Sequence, residues 1–145
     1  IATGNVDLKK SDMTLKTEKL NLDRVNDKAF YNTKGVVLDS ASTLTSQRGT
    51  YFMAENKYRF TSDVTILNPK YIVNSEQLDY FTKLNQAYLY GNSKIKGETY
   101  TIFCERGFYD MQREKGVFKE NATVSLNVSD LFNTRKRKAT NWSNK

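Results

Sequence analysis

The chain repeats itself every 29 residues, and that period limits its fold more than any other feature of the sequence. From Leu15 onward, residues 15–43, 44–72, 73–101 and 102–130 follow one another without a gap. Their first positions are Leu15, Leu44, Val73 and Ile102, and their third positions are Thr17, Ser46, Ser75 and Cys104. The fourth are Glu18, Gln47, Glu76 and Glu105, the sixth Leu20, Gly49, Leu78 and Gly107, and the eighth Leu22, Tyr51, Tyr80 and Tyr109. Later in each unit come Ala29, Tyr58, Ala87 and Gly116, then Tyr31, Phe60, Leu89 and Phe118 two residues on. A fixed period in this range signals a stack in which each unit buries its apolar face against its neighbours.

Apolar residues within a unit are mostly two apart, which is the spacing of a strand and not of a helix. Tyr58-Arg-Phe60-Thr-Ser62-Asp-Val64-Thr-Ile66 alternates for its whole length. Turns are expected at Asp23 to Lys28, Ala54 to Lys57, Thr82 to Gln86 and Met111 to Lys115, so that one hairpin recurs per unit. The fold class is therefore all-β, an open, curved, solenoid-like stack of repeated units. Alternation places Leu15, Leu20, Leu22, Tyr31, Val37, Leu44, Tyr51, Tyr58, Phe60, Val64, Ile66, Val73, Leu78, Tyr80, Leu89, Ile95, Ile102, Tyr109, Phe118 and Val124 on the inner face. Small residues interleave at Ala29, Gly49, Ala87, Gly107 and Gly116, and glycines inside strands predict bulges, bends or close approaches. Only 38% of the residues are hydrophobic, so the core is thin, and no helical pattern exists to cover the dry face. The curled sheet then forms a trough that can take a hydrocarbon ligand.

The sequence also narrows the chemistry. It has no histidine, the commonest general base and metal ligand. Cys104 stands where the other units carry Thr17, Ser46 and Ser75, and reads as a small buried side chain. No cofactor or metal is expected. The formal charge is +7, but it gathers in the tail, where Arg135, Lys136, Arg137, Lys138 and Lys145 outweigh Asp130. The body mixes its charges as solvated strand faces do, so no nucleic-acid partner is expected. No apolar stretch reaches membrane-spanning length and no signal peptide opens the chain, which begins mid-pattern as a trimmed or excised form would. Leu131 follows Gly107 by only 24 residues. The period thus breaks there, dividing the chain into a repeat domain, 1–126, and a divergent basic cap or tail, 127–145.

Several phrases carry a family resemblance: Ala2-Thr-Gly-Asn-Val-Asp-Leu8, Leu15-Lys-Thr-Glu-Lys-Leu20, Ala87-Tyr-Leu-Tyr-Gly91, Gly107-Phe-Tyr-Asp110 and Lys115-Gly-Val-Phe118. Over roughly residues 1–125 the chain resembles the OstA-like, or LptA-like, family of lipopolysaccharide-transport proteins from the periplasm of Gram-negative bacteria. The Tyr- and Lys-rich composition is closer to the Bacteroidetes branch. The tail, Val124 to Lys136, is similar instead to a strand near the end of TonB-dependent outer-membrane barrels. The family resemblance implies an open β-jellyroll holding lipid A acyl chains, edge-to-edge assembly into a bridge between membranes, a periplasmic location and no catalysis.

Three functions stay open on the sequence. A lipid carrier would use Leu22, Tyr31, Tyr51, Phe60, Tyr80, Leu89, Tyr109 and Phe118 as an apolar groove for lipopolysaccharide or a related lipid. Arg59, Lys94 and Lys96 would then meet headgroup phosphates. Exposed strand edges would take up other bridge proteins or further copies of the chain. A scaffold module with a solid core, binding no lipid, is the alternative. An enzyme acting on envelope glycans is the third, although no carboxylate pair, Asp79 and Asp110 included, stands out.

Overall fold

The computed structural model describes residues 1–10 and 12–126, and among them every regular element is a strand. In order these are β1 (Ala2–Lys10), β2 (Met13–Asp23), β3 (Lys28–Tyr31), β4 (Gly35–Leu38), β5 (Thr43–Ser46), β6 (Arg48–Phe52), β7 (Lys57–Asn68), β8 (Tyr71–Phe81), β9 (Gln86–Gly97), β10 (Tyr100–Asp110), β11 (Lys115–Lys119) and β12 (Thr123–Leu126). The tail expected to act as a cap, with Arg135 to Lys138, lies outside the described residues.

All pairings are antiparallel and follow one up-and-down meander. The short strands are halves of longer strokes. The second half of β2 pairs with β3 and its first half with β4, while β5 and β6 together line β7. Each stroke crosses from one half-sheet to another. The first half-sheet ends in the four-residue turns 24–27, 53–56, 82–85 and 111–114. The second ends in the turns that follow Leu38, Asn68 and Gly97. Each unit supplies one upward and one downward stroke, which is the physical meaning of the 29-residue period.

Turns of the first row share one conformation. Asp27, Asn56, Asn85 and Glu114 hold φ of 50°, 50°, 51° and 54°, left-handed values that Asn and Asp tolerate better than most residues. Backbone bonds join consecutive turns: Met53 N–H donates to Asp27 O at 2.9 Å, Thr82 N–H to Asn56 O at 3.0 Å, and Met111 N–H to Asn85 O at 2.9 Å. Asp23 and Asp110 cap the first and last turns by accepting the backbone N–H groups two and three residues on. The Asn26 side-chain amide, which donates to Asp23 at 2.8 Å, and then the backbone bonds lower the pKa of Asp23, and the backbone N–H of Arg113 foremost lowers that of Asp110.

The bend between half-sheets comes from register shifts at Thr61/Val64, Asn74/Gln77 and Cys104/Arg106. Ser62, Asp63 and Gly91 carry positive φ at this line. Where strands break or shift along this line, the third residue of each of the first three units supplies a hydroxyl to a backbone carbonyl. Thr17 Oγ1 donates to Lys34 O at 2.8 Å, Ser46 Oγ to Arg48 O at 2.9 Å and Ser75 Oγ to Gln77 O at 3.0 Å. Ser93 Oγ does the same for Gly91 O at 2.9 Å. A recurring polar residue in the interior thus satisfies backbone groups that burial would otherwise penalise.

Of the bulge, bend or close approach expected at strand glycines, Gly49 and Gly107 mark close approaches. A Cβ on Gly49 would come within 2.4 Å of the Tyr31 ring, as would one on Gly35, and a Cβ on Gly107 within 3.0 Å of Phe118. They are hollows for aromatic rings; the bend is made by bulges and hydroxyls.

Tyr31 lies in such a hollow, 2% exposed, its hydroxyl 2.6 Å from Ser46 Oγ. Burial pushes its pKa up to about 12, against a smaller opposing effect of the Ser46 bond. A raised folded-state pKa means that stability is fully present below the unfolded value near pH 10 and is lost as pH rises toward 12. The loss is about 2–3 kcal/mol from this one side chain. Denaturant midpoints measured across that window, with tyrosinate absorbance followed in parallel, are expected to fall in the wild type and to fall less in Tyr31→Phe.

Candidate functional site

Register lines up the inner face in rows. Across the second half-sheet runs an unbroken aliphatic row, Leu15–Val37–Leu44–Ile66–Val73–Ile95–Ile102–Val124. Across the first half-sheet run two rows rich in rings. One, nearer the turns, is Ala29–Tyr51–Tyr58–Tyr80–Ala87–Tyr109–Gly116; the other, nearer the bend, is Tyr31–Gly49–Phe60–Leu78–Leu89–Gly107–Phe118.

Between the half-sheets these rows enclose a cavity of about 170 Å3. Phe60, Leu78, Tyr80, Ala87, Leu89, Tyr109 and Phe118 form its wall on the first half-sheet. Val37, Leu44, Ile66, Val73, Ile95 and Ile102 form the opposite wall. Tyr71, Tyr80, Tyr100 and Tyr109 stand toward the mouth, between the two rows of turns, with Met13, Asp39, Ser42 and Met111. Burial raises the pKa of Tyr71, Tyr80 and Tyr109, phenols that are in any case neutral at ordinary pH. Outside the mouth lies a second hollow, edged by Lys10, Asp12, Asp39, Asn56, Lys83 and Asn85 and backed by Met13, Tyr58 and Tyr80. An apolar chamber with phenols at its opening and polar groups beyond suits an amphiphile: hydrocarbon inside, headgroup at the rim.

The residues singled out from sequence divide into those that meet this cavity and those that do not. Phe60, Tyr80, Leu89, Tyr109 and Phe118 line it. Tyr31 and Tyr51 are buried beside it as packing, 2% and 5% exposed. Leu22 is 52% exposed and Val124 66%, because they lie at opposite ends of the stack, where no further rung of the described residues covers them. The expected headgroup cations sit on the outer faces. Arg59 donates through Nε and Nη2 to the two oxygens of Asp79, both at 2.9 Å. That pairing raises its pKa further. Lys94 lies 5.8 Å from the Phe103 ring centroid, and Lys96 is exposed on the same outer surface. Register explains these positions: Arg59 pairs with Asp79 directly across β7 and β8, and Lys96 with Ile72, on the solvent side of each strand. Lys10 and Lys83 are the cations at the mouth. Tyr71 and Tyr100 were not among the inner residues expected from sequence. The period itself could have found them, since Ser42, Tyr71 and Tyr100 share one position of the unit.

Cys104 is 4% exposed and burial pushes its thiol pKa up, which makes it a poor nucleophile. Among the described residues no group of three Cys, Asp or Glu is placed to hold a metal ion, and no helix is long and apolar enough to cross a membrane.

The profile of the family described as OstA-like protein matches residues 1–76, just over half of the chain. The chain belongs to the OstA-like family. A crystal structure of LptH from Pseudomonas aeruginosa, described as the LptA-homologous periplasmic component of the lipopolysaccharide transport device, has the same fold. The two superpose with a TM-score of 0.73 at 16% identity, over 79% of this chain and 94% of that one. No curated protein matches the sequence. In this OstA-like chain the match ends at residue 76, yet the meander continues in the same register through β12, so the later units extend one architecture.

Proposed function

We propose that this OstA-like protein is a periplasmic carrier that holds the acyl chains of lipopolysaccharide, or a related lipid, between its half-sheets. The observation that carries the reading is the cavity, with an aliphatic wall opposite an aromatic one and a mouth ringed by tyrosines. Burying each methylene there is favourable by about 0.8 kcal/mol. At about 170 Å3 the chamber is smaller than the roughly 300–1,000 Å3 of a typical ligand pocket. Loading therefore involves a parting of the half-sheets at the mouth, where no strand pairing joins the two rows of turns. The bulged line at Ser62, Asp63 and Gly91 is the natural hinge. Lys10 and Lys83 are placed to meet anionic groups of the head, in the role first expected of Arg59, Lys94 and Lys96. We assign the protein no catalytic step.

Among the described residues the stack ends in edges with one neighbour: β1 pairs only with β2 on one side, and on the other β11 and β12 pair only with β10. Such edges bind another chain unless something blocks them. In this reading they join further OstA-like proteins, or copies of this one, into a bridge. Gly4 and Asn5, both with positive φ, bulge the β1 edge, and would restrict which partner pairs there.

Native mass spectrometry of the protein mixed with purified lipid A tests the reading. A one-to-one lipid complex is expected, retained when solvent-exposed Leu22 is changed to Ser. A lipid-free mass at every lipid concentration would exclude it in favour of the scaffold alternative.

A further inference from the structure

Position fifteen of the unit is small in three copies, Ala29, Ala87 and Gly116, but is Tyr58 in the second. Register shows what this exception does. In the third unit Tyr80 is paired with Ala87, and the space above the alanine is part of the cavity. In the second unit Tyr58 is paired with Tyr51 on one side and with Tyr80 on the other, and the slot is filled. Tyr58 is 3% exposed and stacks between Tyr51 and Phe60, with ring centroids 4.5 and 5.6 Å apart and interplanar angles of 16° and 5°. The ammonium of Lys10 reaches over the edge of this block, bonding the Tyr51 hydroxyl and, at 3.2 Å, Asn56 Oδ1. On the first half-sheet the cavity wall starts at Phe60; Tyr51 and Tyr31 lie behind it as solid packing.

We propose that Tyr58 is a stop: it ends the hydrocarbon chamber on the side of the first unit and so limits the length of acyl chain the protein admits. The proposal rests on the lipid-binding reading above and adds a specificity residue to it. Along the stack the interior is then asymmetric, closed by rings toward β3 and β6, while the chamber continues as far as Tyr109 on β10 and Phe118 on β11.

The test is isothermal titration with a series of saturated fatty acids of increasing length. For the wild type, affinity should rise by about fourfold per methylene admitted and then level off. Tyr58→Ala, which restores the small residue of the sister units, should carry the levelling-off to longer chains. Ala87→Tyr, the reciprocal change, should bring it to shorter chains and lower the affinity of long ones. Circular dichroism establishes that each variant is folded, and if Tyr58→Ala fails to fold, Ala87→Tyr alone decides. A levelling-off at the wild-type length in the folded variants overturns the stop while leaving lipid binding intact. Failure of the wild type to bind any chain overturns both.

Discussion

Replacing Phe60 by alanine is expected to destabilise the protein by about 3–5 kcal/mol, the usual range for deleting a buried ring. Phe60 is 1% exposed, among the most deeply buried large side chains of the molecule. It stacks on Tyr58 and lies in the row between Gly49 and Leu78. Gly49 offers no side chain to collapse into the space, and the Tyr31 ring is held by its bond to Ser46. The cavity left by the mutation would therefore stay open. Against a domain stability of about 5–15 kcal/mol, such a loss is a large share. Urea titration followed by far-ultraviolet circular dichroism gives the value. A change within about 1 kcal/mol, small for a buried site, would mean that the ring packs less tightly than its burial indicates.

Leu89→Glu is expected to have the largest effect on binding. Leu89 is 5% exposed in the wall of the chamber, between Leu78 and Gly107 in its row. Among the described residues no cationic side chain lines that chamber, so a carboxylate there has no partner in its wall. Burying it costs several kcal/mol, and each loss of about 1.4 kcal/mol is a factor of ten in affinity. Lipid A binding should fall by roughly two orders of magnitude or more on that arithmetic, while Leu89→Met should stay near wild type. The sign of the pH dependence separates lost binding from lost folding. Lowering the pH through the carboxylate range neutralises the new group, so part of the lipid affinity should return. Full-strength binding by folded Leu89→Glu at neutral pH would remove Leu89 from the lipid site.

Much of the fold could be read from the repeat because the repeat is the fold. Each unit keeps its turn at one position, and alternation on both strokes places Leu15, Val37, Leu44 and Ile66 on one face as the structure does. What could not be read was how that face is divided. Alternation says which side a residue takes, not whether its neighbours fill the space or leave it open. Tyr51 and Tyr80 occupy the same position of their units and both flank Tyr58, yet one is packing and the other lines the chamber: beyond Tyr80 lies Ala87 on the cavity wall, and beyond Tyr51 lies buried Ala29 in the first unit. The same limit applies to charge. Arg59 looked available until register set it against Asp79. Leu22 was expected inside because its unit-mates are, but it belongs to the first unit and is left uncovered. The role of the Ser46 and Ser75 hydroxyls could not be read at all, because the need for them arises from breaks and bulges that alternation does not show.

The linked turns have one more consequence. Asp27, Asn56 and Asn85 each pass a backbone carbonyl to the following turn, so every copy hands the chain on at the height and pitch at which it received it. Length is then a quantity that gene duplication can change without redesign. Splicing in another copy of residues 73–101 would lengthen the molecule by two strand spacings, about 9–10 Å, and would introduce no contact of a new kind. A loss or gain of any other size would turn the downstream strokes out of step, and so the lineage of such proteins should differ in whole rungs.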